Sequence, residues 1–231
     1  MENELVQGII QALVMIFTFD PEIWGVVEVS IRVSGTATFL AAVISMPIGS
    51  YVALREFPGK NVFTNFINTF MGFPPVVMGL IVFLLLSKSG PLGPLGLLYT
   101  TTAMIIAQLF LAIPIIIGTT KAAIESVDKN IIETIQSLGA TESQLWWELL
   151  KEAKRSIIAG ILVAFGQTIS EVGAAMIVGG NIRWFTRTFT TSIVLQTRMG
   201  EFGMAIALGI ILISVTFVLN YILTHLQMRK D

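Results

Sequence analysis

The chain has no cysteine and one histidine, His225. Without cysteine there is no disulfide, no thiolate nucleophile and no Cys-ligated zinc or iron–sulfur centre. A lone histidine near the C-terminus supplies no paired imidazoles for a transmembrane haem, and leaves a Ser–His catalytic pair a single contender. No cofactor and no metal site are expected. Charge is scarce too: 13% of the 231 residues are charged, and 14 Lys and Arg against 15 Asp and Glu leave a net charge of −1. Soluble domains carry about 25%. That balance excludes a nucleic-acid binder built on a basic surface and an acidic disordered chain. The N-terminus, Met1-Glu2-Asn3-Glu4, is acidic where a secretory signal needs a basic start.

What is present is apolar, at 54% of residues, and the charges are segregated. Residues 61–120 hold one charge, Lys88, while residues 121–155 hold eleven. Apolar blocks in lipid joined by wet loops produce this pattern, which predicts an all-α membrane protein. Crossing a bilayer core takes about 20 mostly apolar residues. Val33–Leu54, Phe63–Ser87, Leu97–Thr120, Ser156–Gly180 and Phe202–His225 satisfy this, giving five core transmembrane helices. Leu5–Phe19 is shorter, either a sixth span or a helix at the interface, and Asp20-Pro21 ends it. Pro47, Pro74-Pro75 and Pro114 lie inside apolar runs, where kinks are expected. Lys and Arg set the expected orientation. With the C-terminus cytoplasmic, Arg55, Lys60, Lys121, Lys129, Lys151, Lys154, Arg155, Arg229 and Lys230 fall inside. Lys88, Arg183, Arg187 and Arg198 then fall outside, with Arg32 near the outer end of its span.

The segment 121–155 reads as a helix–turn–helix hairpin. Ile131, Ile132, Ile135 and Leu138 make one apolar helix face, and Gly139 stands just past its end. Thr141 with Gln144 makes a capping box for a second helix with the face Leu145, Trp146, Leu149, Leu150 and Ala153. Such short helices are marginal alone, so the hairpin is expected to dock on something.

Glu133-Thr134-Ile135-Gln136-Ser137-Leu138-Gly139 resembles the EAA loop of permease subunits in binding-protein-dependent ABC importers. The Glu-to-Gly spacing is kept and Leu149 stands where that pattern has Ile, but Thr134 and Ile135 replace two alanines and Lys151-Glu152 replaces Leu-Pro. Ile169-Ser170-Glu171-Val172-Gly173-Ala174, Val178-Gly179-Gly180-Asn181-Ile182-Arg183 and Phe73-Pro74-Pro75-Val76-Val77 are similar to the molybdate and tungstate branch, closest to tungstate permeases. The resemblance implies a type I importer permease (MetI-like) fold over residues 1–231, with 121–155 as the cytoplasmic coupling hairpin. It implies a homodimer in a prokaryotic cell membrane, two copies of an ATP-binding subunit and an extracytoplasmic binding protein, with no nucleic acid. In that reading Glu133, Gly139, Ala140, Trp146 and Leu149 couple to the ATPase. The chain itself has no Gly-x4-Gly-Lys-[Ser/Thr], so ATP hydrolysis falls to another subunit.

Glu171 is the anomaly within the spans, because a carboxylate in mid-membrane costs about 3 kcal/mol on insertion scales. Gln167, Ser170 and Glu171 are spaced to form one polar helix stripe at the pathway or gate. A carboxylate repels an oxyanion, so Glu171 is expected to pair with an arginine or with backbone donors. Asn181, Arg183 and Arg187 are pathway candidates on the outer side. The arginines, with Arg198, fit an acidic partner rim, a dianion entrance or a plain charge belt. Importer for tungstate or for molybdate, secondary transporter or channel without an ATPase, and an intramembrane enzyme, disfavoured by the lone histidine and absent cysteine, are the competing functions.

Overall fold

The computed structural model describes residues 2–228. Met1 of the acidic N-terminus, and Arg229 and Lys230 of the orientation count, lie outside the described residues. The described chain is helical, with no strand. α1 spans Glu2–Phe17, α2 Pro21–Leu54, α3 Lys60–Met71, α4 Pro75–Leu86, α5 Thr101–Glu125, α6 Lys129–Ser137, α7 Glu142–Ile169, α8 Gly173–Gly179, α9 Phe189–Met199 and α10 Phe202–Met228. A short 3-10 turn, Gly93–Leu95, lies between α4 and α5.

Three helices, α2, α5 and α10, are each long and apolar enough to cross a membrane; the total is five if each bent pair, α3 with α4 and α7 with α8, is one span. α5 is the central post. It packs along α2 and α7 and also touches α3, α4 and α8. One cluster, with Val82, Met104, Leu111 and Val178, joins α4, α5 and α8. Another, with Ile23, Phe189 and Leu208, gathers α2, α9 and α10. Apolar residues such as Phe39, Leu84 and Phe217 remain on the outside, as lipid requires.

Several boundaries differ from the sequence expectation. α2 starts at Pro21, not Val33, because Pro21 suits a first helical position and the Asp20 carboxylate accepts from the amides of Glu22 and Ile23. Its polar residues Glu28 and Arg32 stand at the surface as an i,i+4 pair, 3.7 Å apart, which lets the helix run through them. Pro47 and Pro114 lie inside unbroken helices, whereas the expected span Phe63–Ser87 bends by 100° between α3 and α4. No new helix begins after Arg155: α7 runs from Glu142 through the charged stretch to Ile169, since nothing there stops a helix. The expected outer loop 181–201 contains α9, opened by a capping box in which the Thr188 amide donates to the Thr191 hydroxyl. α1 lies against α10, with Gly8 facing Ile206.

Candidate functional site

Two helix breaks meet in the bundle. The first, Gly72-Phe73-Pro74, follows from local chemistry: Pro75 disfavours helical backbone at Pro74, and neither proline has an N–H to donate. The second, Ser170-Glu171-Val172, has no proline. Here the Glu171 carboxylate turns back to accept from the amides of Ala174 (2.7 Å) and Ala175 (3.0 Å), occupying the start of α8. Neighbouring helices fix the chain on either side. Gln108 Nε2 of α5 donates to the Thr168 carbonyl at 3.0 Å, and the Thr38 and Thr168 hydroxyls lie 3.3 Å apart. Thr190 Oγ1 of α9 donates to the Glu171 carbonyl at 2.7 Å. The breaks adjoin because α4 and α8 approach backbone to backbone. A Cβ on Gly79 would stand 2.6 Å from the Ala174 Cα, and one on Gly173 would strike Val76. Only glycine permits this contact.

The break divides the expected polar stripe. Gln167 and Ser170 are exposed, while Glu171 is buried and faces α8. Glu171 takes backbone donors, one of the two expected partner classes. The helical stripe itself is not formed, because α7 ends at Ile169 before Ser170 and Glu171 can continue it.

At one end of the bundle, Glu22 of α2 holds two arginines of the α8–α9 connection. Arg183 donates to Glu22 Oε2 at 2.6 Å and Arg187 to Oε1 at 3.1 Å. Each arginine makes one bond to Glu22, so neither forms a two-pronged grip there. Trp184 covers Gly25, and the Arg183 guanidinium stands 5.3 Å from the Trp184 ring. Asn181 and Trp184 adopt left-handed backbone, at φ 52° and 67°. Asn181 donates weakly to the Thr191 carbonyl at 3.4 Å. The threonines that flank Arg187 are structural: Thr186 Oγ1, for instance, donates to the Gly179 carbonyl at 2.6 Å. Arg198 is exposed on α9 and, among the described residues, forms no ion pair with Glu22. Sequence reading missed Glu22, which lies 165 positions from Arg187 and carries no local signal.

At the other end, α6 and the start of α7 form the hairpin. The capping box is present: the Thr141 amide donates to Gln144 Oε1 at 2.7 Å. Leu149 is fully buried among Ala123, Ile124, Leu150, Ala153 and Ile157, and Trp146 packs against that cluster. The expected apolar face thus docks on the chain's own α5. Glu133 and Gly139 are exposed, Ala140 is half-buried, and Leu138, at 81% exposure, is the uncovered apolar residue at the turn. Gly139 has φ 78°, with open space where a Cβ would point; its requirement is backbone conformation, not room. Arg55, at the end of α2, pairs with Glu142. Beside this pair a cavity of about 750 Å³ opens among the end of α2, α6 and the start of α7, lined by Tyr51, Leu54, Ile132, Gln136 and Trp146 among others.

Residues 45–231 match the family described as "Binding-protein-dependent transport system inner membrane component". The chain belongs to that family. It is therefore a multi-pass membrane protein of permease type. A tungstate uptake system permease protein, TupB, of Peptoclostridium acidaminophilum is 39% identical over 223 residues, covering 96% of this chain and 98% of the relative. A probable anion ABC transporter permease of Haloferax volcanii is 42% identical over 200 residues, 84% and 86% of the two chains. Among solved structures, an inward-facing MetNI methionine ABC transporter aligns with TM-score 0.66 at 17% identity, over 90% of this chain and 98% of that one. The permease fold is thus of the MetI-like kind.

Proposed function

We propose that the chain is the permease subunit of an ATP-driven importer for an oxyanion, tungstate, and works by alternating access as a homodimer. The observation that carries the substrate is the near-full-length similarity to a tungstate uptake permease. The paired helix breaks supply the machinery, since transporters place irregular backbone where it lines a cavity near mid-membrane. Residues 1–231 act as one permease unit with 121–155 as its coupling hairpin.

The C-terminus faces the cytoplasm, which puts the Glu22–Arg183–Arg187 cluster outside and the hairpin inside. A binding protein delivers the anion at the outer cluster, where two guanidinium groups exceed one carboxylate by one positive charge. Gln167 and Ser170 face the pathway, Glu171 fixes the gate, and Asn181 shapes the outer loop. Two ATP-binding subunits engage Glu133, Leu138, Gly139 and Ala140, while Trp146 and Leu149 brace the hairpin from within. Molybdate, of nearly the same charge and shape, is the second substrate reading.

Reconstitution tests this. Proteoliposomes holding the permease, its ATPase subunit and the binding protein are expected to take up labelled tungstate only with ATP, and molybdate more weakly. Uptake by the permease alone, down a gradient and without nucleotide, would replace the importer with a channel or secondary transporter.

A further inference from the structure

α3 carries a polar face that nothing in the chain covers. Asn61, Asn65, Asn68 and Gly72 recur at i, i+4, i+7 and i+11, and all four are exposed. The packed face is different: Ile67 is buried, and Met71 Sδ lies 2.6 Å from where a Cβ on Gly118 of α5 would stand. A third face bears Val62 and Phe66, exposed at 74% and 54% and suited to lipid. α3 thus has two exposed faces of opposite chemistry. A helix touching only hydrocarbon would have no use for the first.

Two exposed polar residues of the apolar helix α10 are satisfied within that helix. Ser214 donates to the Ile210 carbonyl and Asn220 to the Thr216 carbonyl. Among the described residues, the side chains of Asn61, Asn65 and Asn68 have no such partner. Their amides therefore need water or a ligand. The stripe leads to the break at Gly72. α3 and α7 meet α5 at consecutive positions: Gly118 faces Met71 and Thr119 faces Gly160. Gln167, further along α7, and Ser170, just past its end, are also exposed. Between Asn61 and Ser87 there is no charged residue, and Lys60 at the foot of the stripe is paired with Glu56 at 2.9 Å.

We infer that Asn61, Asn65 and Asn68 line the inner part of the transport pathway and offer carboxamide N–H donors to a tetrahedral oxyanion. This rests on the importer reading above. Neutral donors hold a dianion by hydrogen bonds without the fixed charge that would trap it, as passage requires. The same donors also suit a lipid phosphate, which the test separates.

The assembled importer in proteoliposomes, with tungstate as probe, decides the matter. Asn65→Asp and Asn68→Asp are nearly isosteric but place a carboxylate on the path; each should lower uptake at least about tenfold with assembly intact, whereas Asn65→Gln should stay within about threefold. The chain lacks cysteine, so single cysteines can be introduced without background. Asn65→Cys and Asn68→Cys should react with a charged water-soluble thiol reagent and be protected by tungstate, while Val62→Cys and Phe66→Cys should not react. Wild-type uptake in both Asp variants overturns the inference and leaves the importer reading standing. Labelling at 65 and 68 that tungstate does not protect, but acidic lipid does, assigns the stripe to headgroups and also overturns it. If the unaltered complex imports neither tungstate nor molybdate, the importer reading fails instead; equal reactivity at 62, 65, 66 and 68 then removes the pathway as well.

Discussion

At residues 72–74 the chain leaves the helix because two prolines deny it donors, and no side chain caps the start of α4. At 170–172 there is no proline, and the interruption is held by Glu171 together with Thr38 of α2, Gln108 of α5 and Thr190 of α9. The first break bends the chain by 100°, the second by 58°. One is written in its own few residues and would form in an isolated segment. The other exists only once three further helices have assembled around it. The bundle therefore places its most costly buried group, a carboxylate, where the greatest number of elements depend on it.

That contrast can be broken experimentally. Glu171→Leu should have the largest effect, leaving the amides of Ala174 and Ala175 without acceptors at about 1–3 kcal/mol each. Import should fall at least about a hundredfold, with a lower unfolding temperature in detergent. Glu171→Gln keeps one acceptor oxygen and should fall between the two. Wild-type stability in the Leu variant would remove Glu171 from its structural role.

Gly79→Ala comes next. Its Cβ would press on the Ala174 backbone, and such overpacking costs about 1–3 kcal/mol. Gly173→Ala meets a side chain instead, so Val76→Ala should restore it while leaving Gly79→Ala unrescued. Uptake by the single and double variants reads this out. Pro75→Ala should change uptake by less than about threefold, since Pro74 still withholds a donor and Gly72 still ends α3. Gln108→Leu should be the mildest, within about 1 kcal/mol by chemical denaturation, because the bond to Thr168 that it loses is offset by removing Gln108 Oε1, a buried acceptor with no partner.

The spans were legible where charge was absent and helices had local stops: the capping box at Thr141, Asp20-Pro21 before α2, and the prolines at 74–75. The hairpin's apolar face was legible too, but not its target. Leu149 turned inward onto α5, and Leu138 was left outside. α9 was hidden because, apart from Phe189, its buried residues are Thr190, Thr191, Ser192 and Gln196, which an apolar periodicity does not register. Glu22 was invisible for a different reason. Its meaning comes from Arg183 and Arg187, and only the packing of α2 beside the α8–α9 connection brings them together.

α2 has a consequence of another kind. Its 34 residues make a rod about 50 Å long. Glu22 at its first turn grips the Arg183–Arg187 segment, and Arg55 just past its last turn meets Glu142 of the hairpin. One uninterrupted element is thus fastened at both ends of the protein. If the rod shifts as a body, whatever binds one end biases the other, and linkage makes that bias mutual. In the proposed importer, a nucleotide state that alters how the ATP-binding subunit holds the hairpin then changes the affinity for a partner at the Glu22 end by a given factor, and docking of that partner must change the affinity for the nucleotide state by the same factor.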